Sequence, residues 1–435
     1  MLSSVLIFAF VYILLATEVV EKSTAALSGG VAVVLLGLVS FDDIAGVGAA
    51  NPLIDLNVIF LLIGMMVSVA VLAETGFFEF MAIYLAKKAK GRPIPILLLL
   101  LVLTMLFSAL LDNVTTIILL APVTILITQL LELPTKLFLI LEAIASNIGG
   151  TATLIGDPPN IIIASKVQLS FTDFLVHLGP AVLVISLCFL LTLYVFYKDK
   201  LKVPEHVKMR VLNSYPELAI RDLKKLKRAL AVFGMIFLAF FLHHHFHIPP
   251  GIVALGGMTL MLIVCKSDSE EMFKQVEWDA ILFFIGLFIM IGALEKNGAI
   301  DHLAEYMLSF CGDSLLLSAM IILIASAVFS AILDNIPFVI AMTPLVQKLV
   351  AEVDPSFHTG AGLPVGPHVL FWALALGACL GGNGTIIGAS ANVVAVKIGE
   401  RNGCKIGFFE FMKYGSFFML QSVIVAALYV WLRYF

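Results

Sequence analysis

Two glycine-rich stretches interrupt long apolar segments of this chain, GGTATLIGDPPN at residues 149–160 and GGNGTIIGASAN at residues 381–392. Glycine adopts unusual dihedral angles and proline lacks a backbone donor, so both oppose a continuous helix. Inside a membrane such a break is tolerated only where the backbone is buried in protein or lines a cavity. The two stretches therefore predict broken helices over 137–165 and 368–396, whose freed carbonyls and helix ends can meet an ion.

The composition of the chain predicts a membrane protein. Of its 435 residues, 61% are hydrophobic and 13% are charged, which is about half the charged fraction of a soluble protein. Continuous apolar runs long enough to span a bilayer, about 17–25 residues each, recur from end to end. This pattern excludes a soluble globule and predicts an all-α polytopic membrane protein.

Each half of the chain also has an Asp-Asn pair inside an apolar run, at Asp112-Asn113 and at Asp334-Asn335. We expect each pair to be the tip of a re-entrant helical hairpin that enters and leaves on one side of the membrane. The two predicted hairpins cover 94–131 and 314–351.

These features repeat at similar spacings, with ten extra residues in the second half between the hairpin and the glycine-rich stretch. The two Asp-Asn pairs lie 222 residues apart, and the two glycine-rich stretches lie 232 residues apart. A pair of rare features repeated in this way indicates an internal duplication, with a first repeat over 1–197 and a second over 229–435. Secondary transporters are often built from such repeats in inverted orientation, with their site at the broken segments.

Loop charges indicate how the chain is oriented. The linker 198–228 holds ten Lys and Arg, so the positive-inside rule makes it cytoplasmic. With both hairpins treated as re-entrant, 22 of the 26 Lys and Arg fall inside and both termini face out. The segment before the first hairpin, 86–92, has four basic residues, and its counterpart 304–313 has none. This contrast predicts that the two repeats are inverted, and we expect 198–228 to be a solvated basic linker between them.

Three carboxylates lie inside apolar runs, at Asp112, Asp157 and Asp334. A charged group at that depth is costly and marks a functional hypothesis, here the exchange of a proton. Asp112 and Asp334 have an alternative role as helix caps, because each directly precedes a predicted helix. Asp157 has no acidic counterpart, since Ala389 takes its place in the second half, and it is the better candidate for a specific role.

Two further groups invite a metal or oxyanion interpretation. His243, His244, His245 and His247 end one apolar run, but histidines on one turn point in different directions and favour an interfacial cluster over a metal site. Cys379 precedes the second glycine-rich stretch, where a thiol could meet trivalent arsenic or simply fill space. We predict no metal site and no cofactor, apart from a sodium ion that the broken helices could bind.

Residues 147–160 read NIGGTATLIGDPPN and follow the turn at Leu111-Asp112-Asn113. This combination resembles the ion transporter superfamily, and most closely its branch of arsenite permeases, the melanosomal P protein and sodium/proton antiporters, which has a citrate-transporter-like domain. The resemblance extends over essentially the whole chain and implies a homodimer in which a transport domain moves as an elevator against a scaffold domain. It also implies that ion or substrate ligands lie at the hairpin tips and the broken helices, at Asn113, Thr115, Asn147, Thr151, Thr153, Asn160, Asn335, Asn383, Thr385, Ser390 and Asn392.

The hairpin tips depart from one part of that superfamily. Its dicarboxylate and citrate carriers have a Ser-Asn-Thr motif at both tips, whereas the tips here read DNVT at 112–115 and DNIP at 334–337. This departure weighs against a carboxylate substrate and against strict sodium symport.

The sequence as a whole predicts a secondary active transporter in the cell inner (plasma) membrane. We expect efflux or antiport of a small inorganic ion, either an arsenite- or antimonite-like oxyanion or sodium, driven by the proton gradient or the membrane potential. The alternatives are a sodium-coupled anion or dicarboxylate symporter and an ion channel on the same scaffold. The sequence has no nucleophile–base pair that would suggest an enzyme and no basic face that would suggest a nucleic-acid partner. It also has no Walker motif, so ATP coupling would require a separate ATPase subunit.

The inversion of the repeats can be tested by labelling. We predict that single cysteines in the loops 88–92 and 311–314, the second of which contains the native Cys311, react with an impermeant thiol reagent from opposite sides of the membrane. The charge contrast between 86–92 and 304–313 is the reason. Reaction of both loops from the same side would contradict the inverted arrangement.

Overall fold

The structure, a computed structural model, describes residues 2–17, 19–47, 52–303, 305, 314–353 and 368–435. Short 3₁₀ turns lie at Pro216–Ala219 and Gly382–Gly384, and the described chain is otherwise built from helices and connecting loops. The helices are Leu2–Thr17, Lys22–Leu35, Phe41–Ala45, Leu56–Glu74, Phe77–Lys88, Pro93–Leu110, Asn113–Leu130, Thr135–Gly150, Pro158–Val167, Phe171–His177, Gly179–Tyr197, Glu205–Leu212, Leu223–Leu242, Pro250–Cys265, Ser269–Phe273, Trp278–Lys296, Leu315–Ile332, Asn335–Val353, Val369–Gly381, Ser390–Arg401 and Phe408–Tyr434.

Within those ranges, seven helices are long and apolar enough to cross a membrane, and further apolar helices are shorter. This finding agrees with the predicted all-α polytopic class. The seven are Leu56–Glu74, Pro93–Leu110, Asn113–Leu130, Gly179–Tyr197, Trp278–Lys296, Leu315–Ile332 and Phe408–Tyr434.

The two predicted hairpins are pairs of helices. The first hairpin joins Pro93–Leu110 to Asn113–Leu130, and the second joins Leu315–Ile332 to Asn335–Val353. The residue before each Asp is extended, with φ −119° at Leu111 and −114° at Leu333. The chain therefore leaves one helix and starts the next within two residues.

The two glycine-rich stretches interrupt helices as expected. The first break, residues 151–157, separates Thr135–Gly150 from Pro158–Val167. The second break, residues 382–389, separates Val369–Gly381 from Ser390–Arg401. Both predicted broken helices are thus found, with a non-helical segment between two helical halves.

The hairpins and broken helices of the two halves interlock. In each half the first hairpin arm packs on the helix before that half's own break. The second arm packs on that helix too, and also on the helix after the break of the other half, so that Asn113–Leu130 lies against Ser390–Arg401 and Asn335–Val353 lies against Pro158–Val167. This exchange brings both tips and both breaks to one place.

Two further helix pairs approach each other closely. A Cβ built on Gly64 would lie 2.5 Å from the carbonyl carbon of Ala254, and one on Gly286 would lie 2.4 Å from that of Ala26. Small residues at such crossings let membrane helices pack backbone to backbone. The pairs Leu56–Glu74 with Pro250–Cys265 and Trp278–Lys296 with Lys22–Leu35 are therefore held at short range.

The basic linker is only partly solvated, which differs from the expectation. It contains the helix Glu205–Leu212, on which Val207 and Val211 are buried. Lys87 donates to the carbonyl of Ser214 at 2.7 Å, which ties the linker to the helix before the first hairpin. The apolar residues between the charges cause this packing. The loop 304–313, used above for the charge contrast, lies almost entirely outside the described residues.

The close packing of the first broken helix gives a stability prediction. A Cβ on Gly149 would lie 2.3 Å from the carbonyl oxygen of Met105, so Gly149→Ala must displace the backbone of the hairpin arm. We expect a loss of about 1–3 kcal/mol, seen as a lower unfolding temperature in detergent. Gly256→Ala is the matched control, because its Cβ would meet nothing within 4 Å. Equal unfolding temperatures for the two variants would contradict this packing.

Candidate functional site

The tip of the first hairpin is organised by Asp112. Its Oδ1 accepts from the backbone N–H of Thr115 at 2.8 Å, and its Oδ2 accepts from the Thr115 hydroxyl. Asp112 is thus the N-cap of Asn113–Leu130, as one of its two proposed roles requires. The Thr115 hydroxyl, a predicted ligand, is occupied by this cap.

Asp334 at the tip of the second hairpin has a different set of partners. Its Oδ1 accepts from the N–H of Ile336 at 3.2 Å. Its Oδ2 accepts from the Lys22 ammonium at 2.6 Å and from the Ser390 hydroxyl at 3.1 Å. Asp334 therefore caps its helix and also joins three elements, the N-terminal helix pair, the second hairpin and the helix after the second break.

Threonine and asparagine side chains brace both breaks in the same way. The Thr153 hydroxyl donates to the carbonyl of Ala109 and accepts from the N–H of Gly156, at 2.6 and 3.1 Å. In the second half, Thr385 makes the corresponding bonds to Ala331 and Gly388 at 2.6 and 3.2 Å. Each break is thereby fastened to the tip of its own hairpin.

The matched asparagines Asn160 and Asn392 bind backbone freed by the breaks. The Asn160 amide nitrogen donates to the carbonyl of Thr153, and that of Asn392 donates to the carbonyl of Thr385, both at 2.8 Å. Both asparagines are completely buried. Unpaired carbonyls at this depth would each cost free energy, so the two amides stabilise the non-helical segments.

Asn147 lies at the centre of the site. Its amide nitrogen donates to the side-chain oxygens of Asn383 and Asn392 at 2.9 and 3.0 Å. Its own side-chain oxygen accepts from the amide of Asn113 at 3.2 Å. One side chain thus connects the first hairpin tip, the first broken helix and the second break. The amide nitrogen of Asn383 is buried and has no hydrogen-bond partner in the described part of the chain.

Cys379 takes the position in the second half that Asn147 has in the first, 232 residues earlier. Its thiol lies 3.5 Å from the side-chain oxygen of Asn160, as Asn147 bonds Asn392. Each residue therefore reaches across to the helix after the other half's break. Replacing an amide with a thiol leaves fewer strong hydrogen bonds on the Asn160 side of the site.

Asp157 lies beside this centre and is completely buried. The amide nitrogen of Asn335, at the second hairpin tip, lies 3.3 and 3.4 Å from its two carboxylate oxygens. The first break is therefore joined to the second hairpin through Asp157, as Asn147 joins the first broken helix to the second break. Ala389 occupies the matched position and can make no such bond.

The structure brings most of the predicted ligands into one buried network. The side chains that hydrogen bond to one another or to the breaks are those of Asn113, Asn147, Asn383, Asn392, Asn335 and Asp157. Backbone carbonyls engage a second set, the hydroxyls of Thr151, Thr153 and Thr385. Two titratable groups near the network, one buried and one half-buried, were not identified from the sequence. They are Lys22, which pairs with Asp334, and Glu142, which is 1% exposed.

The histidine cluster lies apart from this network. His243 donates from Nδ1 to the carbonyl of Ile248 at 3.0 Å and accepts at Nε2 from the N–H of Phe171 at 3.5 Å. Burial, assisted by neighbouring His244, lowers the pKa of His243, which favours the neutral ring that these bonds require. Across the described ranges, no group of three or more His, Cys, Asp and Glu side chains is arranged to hold a metal ion.

The central network predicts a strong effect of Asn147→Ala. The variant loses three buried hydrogen bonds and leaves amide groups unpaired, at about 1–3 kcal/mol for each buried group. We expect a lower unfolding temperature in detergent and loss of transport at equal membrane abundance. Asn402→Ala is the control, because Asn402 is exposed and bonds only within its own helix end. Wild-type stability and flux in Asn147→Ala would refute the network.

Comparison with known proteins agrees with the resemblance inferred from the motifs. A sequence model of the citrate transporter family matches residues 12–377. An uncharacterized transporter of Mycobacterium tuberculosis is 44% identical over 435 residues, which cover 99% of this chain and 98% of that protein. The 46 kDa membrane protein of Mycobacterium leprae is 41% identical over 432 residues, with the same coverage.

The human P protein is a more distant relative. It is 34% identical over 501 residues, which cover 98% of this chain and 59% of the P protein. The family match and these relatives indicate a membrane transporter, and the apolar helices make it a multi-pass one. On this evidence, the chain belongs to the citrate transporter family of the ion transporter superfamily.

Proposed function

We propose that this protein is a secondary active transporter that exports or exchanges a small inorganic ion, an arsenite- or antimonite-like oxyanion or sodium. The observation that carries the proposal is the buried amide network around Asn147, formed where two helix breaks and two hairpin tips meet. A buried cluster of polar side chains does not require broken helices for stability alone, since continuous helices satisfy their own backbone. The cost of two breaks is explained if they bind an ion.

An oxygen-bearing solute suits the polarity of this network. The amide nitrogen of Asn383 is a buried donor that finds no acceptor among the described residues, and an oxygen atom of the solute would satisfy it. The helices Pro158–Val167 and Ser390–Arg401 both begin at the breaks, and helix N-termini favour negative charge. Sodium would instead use the side-chain oxygens of Asn113 and Asn147, with the carbonyls of the breaks.

We further propose that the two repeats, 1–197 and 229–435, have inverted topology and that the site moves as an elevator. The identical hydrogen bonds of Thr153 and Thr385, and of Asn160 and Asn392, support a common origin of the halves. The hairpins and broken helices would form the transport domain, and the closely packed outer helix pairs the scaffold. The homodimer, the inner membrane location and outward-facing termini belong to the same proposal.

Access to the site would come from the side that carries Lys166. A cavity of about 380 Å³ is lined by Leu154 of the first break and Ile161 of the helix that follows it. A second cavity, of about 660 Å³, lies between Asp55, Lys166 and Gln347. In the proposed orientation both open to the outside, so this conformation would be the outward-facing one.

A sodium-coupled carrier of citrate or a dicarboxylate is the second candidate, because the chain belongs to the citrate transporter family. The sequence of the hairpin tips favours the inorganic ion. A channel on the same scaffold would have the same network but could not move an ion against its gradient.

The deciding experiment is uptake into everted vesicles. Arsenite, sodium, chloride, succinate and citrate would be compared with and without an imposed proton gradient. We expect accumulation of arsenite or sodium that requires the gradient. Gradient-independent, sodium-dependent uptake of citrate or succinate would support the second candidate, and flux that never exceeds equilibrium would support a channel.

Coupling can be tested at Asp157, which we propose carries the exchanged proton. Asp157→Asn mimics the protonated side chain permanently, so transport should lose its dependence on pH while substrate binding survives. The measurement is vesicle flux from about pH 5.5 to about 8.5, a range over which a carboxyl group buried away from water can change its protonation. Asp42→Asn, at an exposed aspartate, is the control. Identical pH profiles in wild type and Asp157→Asn would show that Asp157 is not the coupling group and would leave Asp112 and Asp334 as the candidates.

A further inference from the structure

Glu142 is a buried carboxylate outside the network described above. It lies on Thr135–Gly150 with its side chain 1% exposed. Its Oε1 accepts from the hydroxyl of Thr124 at 3.0 Å and from that of Thr104 at 3.4 Å. Its Oε2 is buried and has no hydrogen-bond partner in the described ranges. Thr104 and Thr124 belong to the two arms of the first hairpin, so Glu142 lies between them.

Among the residues that the structure describes, no cation forms an ion pair with this carboxylate. The arms Pro93–Leu110 and Asn113–Leu130, which face it, contain no titratable residue. The charged residues on its own helix and on the other helices packed against it are exposed and make no described bond to it, and the buried thiol of Cys379 points to Asn160 instead. Those charged residues are Lys136, Lys397, Glu400, Arg401, Glu410, Lys413 and Arg433.

An ionised carboxylate in this place would be unfavourable. An uncompensated buried charge costs several kcal/mol, and two hydroxyl donors on a single oxygen do not offset that cost. The Thr104 hydroxyl is also shared, because it donates to the carbonyl of Leu100 at 2.9 Å. A proton on Oε2 would remove the charge and leave Oε1 as the acceptor for Thr124.

We propose that Glu142 is a proton-binding site, separate from Asp157 and from the amide network. Proton binding forms an O–H bond at Oε2. The proton comes from a hydronium ion of the solvent, and this ion becomes a water molecule when it gives the proton up. Release is the reverse step. The site goes beyond the transport function proposed above, and it holds a proton whichever ion the protein moves.

A row of threonines connects Glu142 to that cavity. A cavity of about 370 Å³ is lined by Thr135, Lys136 and Glu410. The hydroxyl of Thr135 lies 2.9 Å from that of Thr128, and Thr128 lies one helical turn from Thr124, the partner of Glu142. The Thr128 hydroxyl donates to the carbonyl of Thr124 at 2.8 Å, so the row lines this helix interface with polar groups between Glu142 and the side of the membrane where Lys136 lies.

The site exists in one half only. At the matched positions of the second half, Leu374 replaces Glu142, Val346 replaces Thr124 and Ser326 replaces Thr104. A carboxylate needed only to fasten a hairpin to its broken helix would be needed twice. The second half has neither the acid nor the hydroxyl of Thr124, the nearer of its two partners, although Ser326 keeps a hydroxyl at the other position, and this fits a function confined to the first half.

The test is infrared difference spectroscopy of the purified protein in liposomes, which detects the carbonyl stretch of a protonated carboxylic acid. At neutral pH, the wild-type spectrum minus that of Glu142→Gln should contain this band, and raising the pH should convert it into carboxylate bands. This infrared measurement needs no transported ion, so its outcome does not depend on the outcome of the vesicle assays. Carboxylate bands alone at neutral pH, or bands that respond to sodium and not to pH, would overturn the proposal.

A second variant covers the case in which Glu142→Gln does not fold. Thr124→Val removes the hydroxyl that donates to Oε1 while keeping the shape of the side chain. The acid band should persist and shift to higher frequency, because its carbonyl loses a hydrogen bond. Thr259→Val is the matched control, since Thr259 is exposed and its hydroxyl bonds only to Leu255 in its own helix. An unshifted band in Thr124→Val would show that the acid observed is not Glu142.

Discussion

The fold depends on satisfying the backbone groups that are freed when a helix is broken inside a membrane. Every such group must find a partner within the protein, because the surrounding lipid offers none. Here the partners are side chains placed at equal positions in both halves, with Asn160 and Asn392 binding carbonyls of the breaks. Thr153 and Thr385 fasten the breaks to the hairpins. The short polar tips and the interlocked packing of the second hairpin arms follow from this requirement.

On this nearly symmetric frame, the differences between the halves carry the chemical information. Asp157 is matched by Ala389, Asn147 by Cys379 and Glu142 by Leu374. In each pair, the more polar member belongs to the first half. Structural bracing, including the capping carboxylates of Asp112 and Asp334, is therefore duplicated, whereas Asp157, Glu142 and the central amide of Asn147 occur once. A single solute path with one set of titratable groups would produce this distribution, since two equivalent sets would bind two solutes at once.

Much of the fold could be predicted because its signals are local. Glycine, proline and Asp-Asn pairs within apolar runs located both hairpins and both breaks, and the similar spacings of these features predict a duplication. Other features depend on tertiary packing that a linear pattern does not contain. The ion pair of Lys22 with Asp334 joins residues 312 positions apart. The linker packs through Val207 and Val211, and no sequence pattern distinguishes these two valines within a segment that holds ten Lys and Arg. Glu142 had the same signal as Asp157, an acid within an apolar run, but it lacks a motif around it.

The charge balance of the network bears on which solute it can bind. Its hydrogen-bonding groups are neutral amides together with Asp157, and the ammonium of Lys22, at the tip of the second hairpin, is engaged with Asp334. Three carboxylates of a bare citrate would enter this environment without matching cations, and buried charges that are not paired are strongly disfavoured. A citrate bound to a cation, a neutral hydroxide such as protonated arsenite, or a single sodium ion beside Asp157 avoids that cost. The citrate transporter fold can therefore serve a smaller or less charged solute without new folding elements, because the identity of a few polar side chains at the breaks sets the charge that the site accepts.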